Sequence, residues 1–151
     1  MKYLTKNPVS GTFQTICALV LLFANNSFVI ADMHDDQGTV TPVMAETGTD
    51  GVQRLEITLD SYTFTPSYII VHAGKPVEFT FKNIATLTPH NFRIEAIADG
   101  LYLDKDVAPG ETATLLFLPT KPAMYEFYCD KKLAFLPGHR DKGMIGKLEV
   151  R

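Results

Sequence analysis

The chain lacks the features of several protein classes. Its N-terminal apolar run, residues 16–24, has nine residues before Asn25-Asn26-Ser27 interrupts it, whereas a membrane-spanning helix needs about 20. Lysine and arginine are scattered singly and form no basic stripe, which argues against a nucleic-acid-binding surface. No serine or cysteine nucleophile paired with a histidine base stands out in the sequence, so no catalytic residue is predicted. Without internal repeats, the length indicates one main domain.

Residues 1–31 have the composition of a secretory signal peptide. Lys2 and Lys6 precede the apolar run, and Val29-Ile30-Ala31 provides a small-x-small cleavage site. We therefore predict cleavage after Ala31 and a periplasmic or secreted protein that does not span a membrane once processed. An uncleaved anchor is the alternative, and a lipoprotein is disfavoured because Cys17 lacks the preceding small residue. Cleavage moves the formal charge from -3 to -5, so an electrostatic partner is expected to carry positive charge.

The remainder divides into residues 32–51 and 52–151. The first segment is rich in Asp, Thr and Gly and shows neither a strand nor a helix period, so we predict a flexible leader. In the second, apolar and polar residues alternate at 55–59 and 77–82, as in half-buried strands. Residues 99–107 are expected to form a helical turn or an irregular crossing.

Further strand candidates are residues 62–64, 68–72, 91–96, 112–118, 124–129 and 145–150. Seven or eight short strands separated by turn residues predict an all-β fold, a Greek-key sandwich of two sheets.

One cysteine remains once the signal peptide is removed. Cys129 then has no intramolecular disulfide partner, and a lone thiol in an oxidising compartment calls for an explanation. His139 and Met144 follow it, and His90 lies upstream between two strand candidates. A thiolate and two imidazoles with a weak axial thioether form a blue-copper site, which transfers single electrons. We therefore predict that His90, Cys129, His139 and Met144 bind one copper ion, cycling between Cu(I) and Cu(II).

Three of these residues have an alternative interpretation. Cys129 could be a small buried hydrophobic residue, and His90 a hydrogen-bonded histidine at a strand end. Met144 could fill the core while another group occupies the axial position.

Residues 52–151 resemble the cupredoxins, the family of plastocyanin, azurin and pseudoazurin. The resemblance rests on Tyr62-Thr63-Phe64-Thr65-Pro66, Ala73-Gly74-Lys75-Pro76, Pro89-His90-Asn91-Phe92, Pro109-Gly110-Glu111-Thr112, Tyr125-Glu126-Phe127-Tyr128-Cys129 and Gly143-Met144-Ile145-Gly146. It implies a type 1 blue copper protein in which His139 lies near solvent as the electron port. It also implies that Asn91 pins the ligand loop, although an ordinary loop asparagine is an equal alternative.

The loop between Cys129 and His139 departs from the family pattern. Nine residues, 130–138, occupy a gap that is usually shorter, so the loop geometry does not transfer. By resemblance, Leu133, Phe135 and Leu136 form a docking surface for a redox partner such as a cytochrome or an oxidoreductase. The alternative is that these side chains pack the loop onto its own barrel.

These observations predict an exported one-electron carrier that is not an enzyme. One alternative is copper storage or delivery, for which Met33, His34 and Met44 offer a thin cluster. Another is a mononuclear copper enzyme with an open coordination position. A multicopper oxidase is excluded because it needs His-x-His pairs, and a binuclear CuA site is excluded because it needs two nearby cysteines.

Overall fold

The computed structural model of the protein describes residues 40–151. Eleven strands in this part form two sheets. They are β1 (Val43–Met44), β2 (Glu46–Thr47), β3 (Gln53–Asp60), β4 (Thr63–Thr65), β5 (Tyr68–Val71), β6 (Val77–Asn83), β7 (His90–Ala96), β8 (Leu101–Val107), β9 (Thr112–Phe117), β10 (Ala123–Tyr128) and β11 (Ile145–Val150). Short 3-10 turns lie at Ile97–Asp99 and Arg140–Lys142.

The strands are divided between two mixed sheets. One sheet has the order β1-β5-β11-β10-β7-β8, and the other has the order β2-β3-β6-β9 with β4 paired to β3. Parallel pairs join β3 to β6 and β11 to β5, while β10 is antiparallel to both β11 and β7. The predicted all-β sandwich of two sheets is confirmed, with more strands than the seven or eight expected.

Aromatic rings fill the space between the sheets. Phe79, Phe81, Phe92 and Phe127 are fully buried, as the period-two pattern of β6 and β10 requires. The Phe92 ring centroid lies 4.9 Å from that of Phe81 and 4.7 Å from that of Phe127. Gly146 of β11 faces Phe127 so closely that a Cβ would overlap the ring and stand 2.6 Å from the Ser67 carbonyl oxygen. The Phe127 ring can therefore lie against the backbone of β11 only because residue 146 is glycine.

Two segments differ from the sequence-based expectation. Residues 43–47 are not a flexible leader, because Val43–Met44 pairs with β5 and Glu46–Thr47 pairs with β3. Residues 101–107 are a regular strand rather than an irregular crossing, paired along its length with β7. The rest of the expected leader up to residue 39 and the expected signal peptide lie outside the described residues.

Within residues 40–151, no helix combines the length and the apolar character needed to cross a bilayer.

Candidate metal centre

Three of the four predicted ligands converge at one end of the sandwich. The donor atoms of His90, Cys129 and His139 all lie within 4.8 Å of one another. Cys129 Sγ is 3.3 Å from His139 Nδ1 and 3.9 Å from His90 Nδ1, and the two Nδ1 atoms are 3.2 Å apart. All three residues are buried. One thiol and two imidazole nitrogens facing a common point fit a copper ion, which favours this mixture of ligands.

His90 is positioned by strand pairing and by a buried asparagine. It is the first residue of β7 and pairs with Val107 of β8. The Asn83 side chain donates to the carbonyl oxygens of Thr88 and Val107 at 2.9 and 3.1 Å. These bonds hold the loop that leads into His90, so the imidazole enters the site from a fixed strand end.

Cys129, His139 and Met144 are linked to one another through the backbone. The Cys129 N–H donates to the Met144 carbonyl at 3.1 Å, and the Met144 N–H donates to the His139 carbonyl at 3.0 Å. Gly143, with φ of 90°, ends the 3-10 turn after His139 in the left-handed conformation that glycine adopts readily. Met144 is fully buried in the core beside the site. These bonds place Met144 next to Cys129 and His139, at the end of the sandwich where His90 also lies.

The long loop closes next to Cys129. The His139 N–H donates to the Lys131 carbonyl at 2.9 Å, and the Gly138 N–H donates to Asp141 Oδ2 at 2.9 Å. Two residues after Cys129, the chain is therefore already bonded to His139. The residues between Lys131 and His139 form a loop that does not separate Cys129 from His139, because its two ends are bonded to each other.

Burial sets the protonation of the donor groups. It lowers the pKa of His90 to about 4, with a smaller contribution from the charge of His139. It also lowers the pKa of His139, assisted by Lys142 and Lys131. Both imidazoles are therefore neutral near pH 7 and free to act as ligands. Burial raises the pKa of Cys129, and the Asn91 N–H, 3.3 Å from Sγ, partly offsets this shift.

Asn91 joins the site to the start of the long loop. Its Nδ2 donates to Asp104 at 3.0 Å and to Asp130 at 2.9 Å, and its Oδ1 accepts from the Asp130 N–H at 3.0 Å. Arg93 pairs with the same Asp130. These contacts agree with the loop-pinning position that the family resemblance implied for Asn91.

Tyr62 lies at the site, although the sequence placed it only in a strand candidate and a family motif. Its ring meets the His139 imidazole edge-on, with centroids 4.8 Å apart and an interplanar angle of 75°. The Lys142 ammonium lies 4.1 Å from the Tyr62 ring centroid. Tyr62 has φ of 69°, an unusual conformation for a large side chain. The amino-acid sequence gives no indication that a tyrosine adopts a positive φ, so this position of Tyr62 could not be predicted.

The loop beside His139 exposes apolar side chains. Leu133 is 72% exposed and Phe135 is 92% exposed, so these two side chains do not pack the loop onto its own barrel. A cavity of about 370 Å³ lies between this loop and the one before His90, and His139 contributes to its wall. His139 is thus the ligand candidate that borders an external concavity.

Comparisons with known proteins agree with this architecture. The family model for the cupredoxin-like domain matches residues 15–140. The copper-resistant cuproprotein CopI of Rubrivivax gelatinosus is 30% identical over 107 residues, 61% of this chain and 62% of that protein. The match thus spans less than two thirds of that relative.

Solved structures share the fold. The metal binding domain of the Cu(I)-exporting P-type ATPase CopA of Streptococcus pneumoniae D39 aligns with a TM-score of 0.57 at 21% identity, covering 76% of this chain and 99% of that one. Reduced auracyanin from Roseiflexus castenholzii aligns with a TM-score of 0.55 at 25% identity, covering 71% and 98%. The family match and the buried His-Cys-His cluster together support copper binding. The chain belongs to the cupredoxin-like family.

Proposed function

We propose that the protein is an exported single-copper electron carrier. His90, Cys129 and His139 would hold the ion, and Met144 would serve as a weak axial ligand. Bound copper supplies the capacity to accept and release one electron. The observation that carries the proposal is the convergence of three buried donor groups whose positions are fixed by protein hydrogen bonds.

The protein part of this function is to hold the donors still and dry. A site that is already assembled needs little rearrangement when the charge on the ion changes. The backbone bonds among Cys129, His139 and Met144, and the Asn91 N–H directed at Sγ, provide this rigidity. Burial of His90 and Cys129 keeps water away, and His139 is 7% exposed at the cavity wall. These features favour a carrier over an enzyme, because a substrate would need access to the metal.

Spectroscopy of the copper-loaded domain tests the proposal. We expect intense visible absorption from a copper–thiolate bond, and loss of that band in Cys129→Ser. Met144→Gln should lower the reduction potential because an oxygen ligand favours Cu(II) over Cu(I). Met144→Leu is the matched control and should not lower it. A Cys129→Ser protein that retained the wild-type spectrum would contradict the proposed ligand set.

A copper-handling function is the second candidate, favoured by the similarity to a protein named as a copper-resistant cuproprotein. In that function, the same donors would store or deliver the ion without redox cycling. The two candidates are separated by voltammetry and by competition with a Cu(I) chelator. A reversible wave with slow copper loss supports the carrier, whereas rapid loss without a wave supports copper handling.

A further inference from the structure

The cavity at His139 has a rim of one charge sign. Its described lining includes Lys131, Lys132 and Lys142 and contains no carboxylate. The net charge of the whole sequence is -3, so the local charge is opposite to the overall charge. A charged partner responds mainly to the groups near the contact, because salt screens exposed charges beyond about 10 Å.

Three acidic groups lie near the cavity but do not line it. Asp130 pairs with Arg93, and Asp141 accepts the Gly138 N–H at 2.9 Å. Asp60 accepts the Ser61 hydroxyl at 3.0 Å and lines an adjoining cavity that shares Tyr62, Leu87 and Thr88. Asp106 does pair with Lys131 at 2.6 Å and reduces the effect of that lysine. Lys132 and Lys142 remain at the rim, where Lys142 lies over the Tyr62 ring.

Apolar side chains accompany the lysines. Leu87 is 86% exposed on the loop before His90, and Leu133 and Phe135 are exposed on the facing loop. Leu87 and Leu133 both line the cavity together with His139. A small anion needs only the lysines, whereas a protein surface also removes these apolar side chains from water.

We infer that this lysine-rimmed apolar surface docks a redox protein with an acidic face. The inference rests on the proposed carrier function and identifies the chemistry of the partner. One electron passes between the copper of this protein and the redox centre of the partner, and no bond is formed or broken. Small interfaces of this kind suit transient encounters. The net charge alone predicted a partner with positive charge at its docking site. The proposed partner carries negative charge there, because the charges near the contact steer docking.

Reduction of the copper-loaded protein by two anionic donors tests this inference. The protein donor is a reduced acidic plant-type ferredoxin, and the small donor is the dithionite anion. Lys132→Glu reverses a charge at the cavity rim. The matched control Lys75→Glu reverses an exposed charge two residues before β6 begins. Asn83, at the opposite end of β6, is the residue that bonds the loop before His90, so Lys75 lies away from the cavity. At about 10 mM ionic strength, where screening is weak, we expect the ferredoxin rate to fall about fivefold in Lys132→Glu and less than about twofold in the control.

A second variant separates protein docking from anion binding. Phe135→Ser should lower the ferredoxin rate about threefold and leave the dithionite rate unchanged. Equal ferredoxin rates in Lys132→Glu and Lys75→Glu would overturn the inference. A rate change confined to dithionite would also overturn it and identify a small-anion site. If neither donor reduced the wild-type protein and voltammetry showed no reversible wave, the result would instead contradict the carrier function itself.

Discussion

Replacing Asn91 by alanine tests whether the start of the long loop is fixed by one side chain. Asn91 is 2% exposed and makes three side-chain hydrogen bonds of 2.9 to 3.0 Å to Asp104 and Asp130. A typical protein hydrogen bond contributes about 1 kcal/mol net, so the variant should lose about 3 kcal/mol. For a domain near 100 residues, this corresponds to a fall of about 12 °C in the thermal midpoint.

The spectrum should respond differently from the stability. The backbone N–H of Asn91, which lies 3.3 Å from Cys129 Sγ, is retained in the alanine variant. We therefore expect the visible band of the copper-loaded variant to keep its position while calorimetry shows the lower midpoint. A midpoint within about 3 °C of wild type, less than 1 kcal/mol, would refute the role of the side chain. So would loss of the band in a folded variant.

Asn91→Asp provides a matched comparison. Its carboxylate can still accept the Asp130 N–H, but it faces the carboxylates of Asp104 and Asp130. Like charges at this distance repel, so Asn91→Asp should be at least as unstable as Asn91→Ala at pH 7. Greater stability of Asn91→Asp at pH 7 would contradict this reasoning.

Three further predictions concern packing, protonation and the site wall. Gly146→Ala should lower the free energy of unfolding, measured in urea, by about 3 kcal/mol because its Cβ would overlap the fully buried Phe127. A double variant that also carries Phe127→Leu should lose less than the sum of the two single losses. In copper-free protein, the pKa of His90 falls from 6.5 to about 4 on folding, so the folded state binds fewer protons between these values. Stability should be full above pH 6.5 and decrease on acidification by up to about 3 kcal/mol, as measured by urea titration, and the decrease should be smaller in His90→Ala. Tyr62→Ala should raise the copper dissociation rate about fivefold through loss of the edge contact with His139, while Tyr62→Phe should stay near wild type; equal rates in both variants would contradict this role.

The core strands and the ligand candidates could be predicted from sequence because each leaves a local signal. The period-two pattern of residues 77–82 appears as β6, with Phe79 and Phe81 buried. Cys129 was notable because no second cysteine remained in the expected mature chain. Fold and donor set therefore followed from pattern and chemistry without long-range information.

Other features depended on tertiary pairing. In β8 the buried positions Leu101, Leu103 and Val107 are interrupted by the polar run of residues 104–106, which hides the alternation. Each leader strand has two residues, too few for a period to be visible, and each exists because an edge strand offers hydrogen bonds. The rim charge around His139 was also invisible, because net charge does not say which residues meet in space.

The closure of the long loop at Lys131 and His139 separates two properties of the molecule. Metal-holding geometry depends on the segment from His139 to Met144 and on Cys129, which are bonded to one another. The proposed docking surface takes Lys132, Leu133 and Phe135 from residues 132–138, a segment whose two ends are held together by the bond between the His139 N–H and the Lys131 carbonyl. Their length and composition are therefore free to change through evolution or engineering while the ligands keep their positions. Under the proposed function, the docking surface could therefore be changed to suit another partner while the candidate metal ligands keep their places.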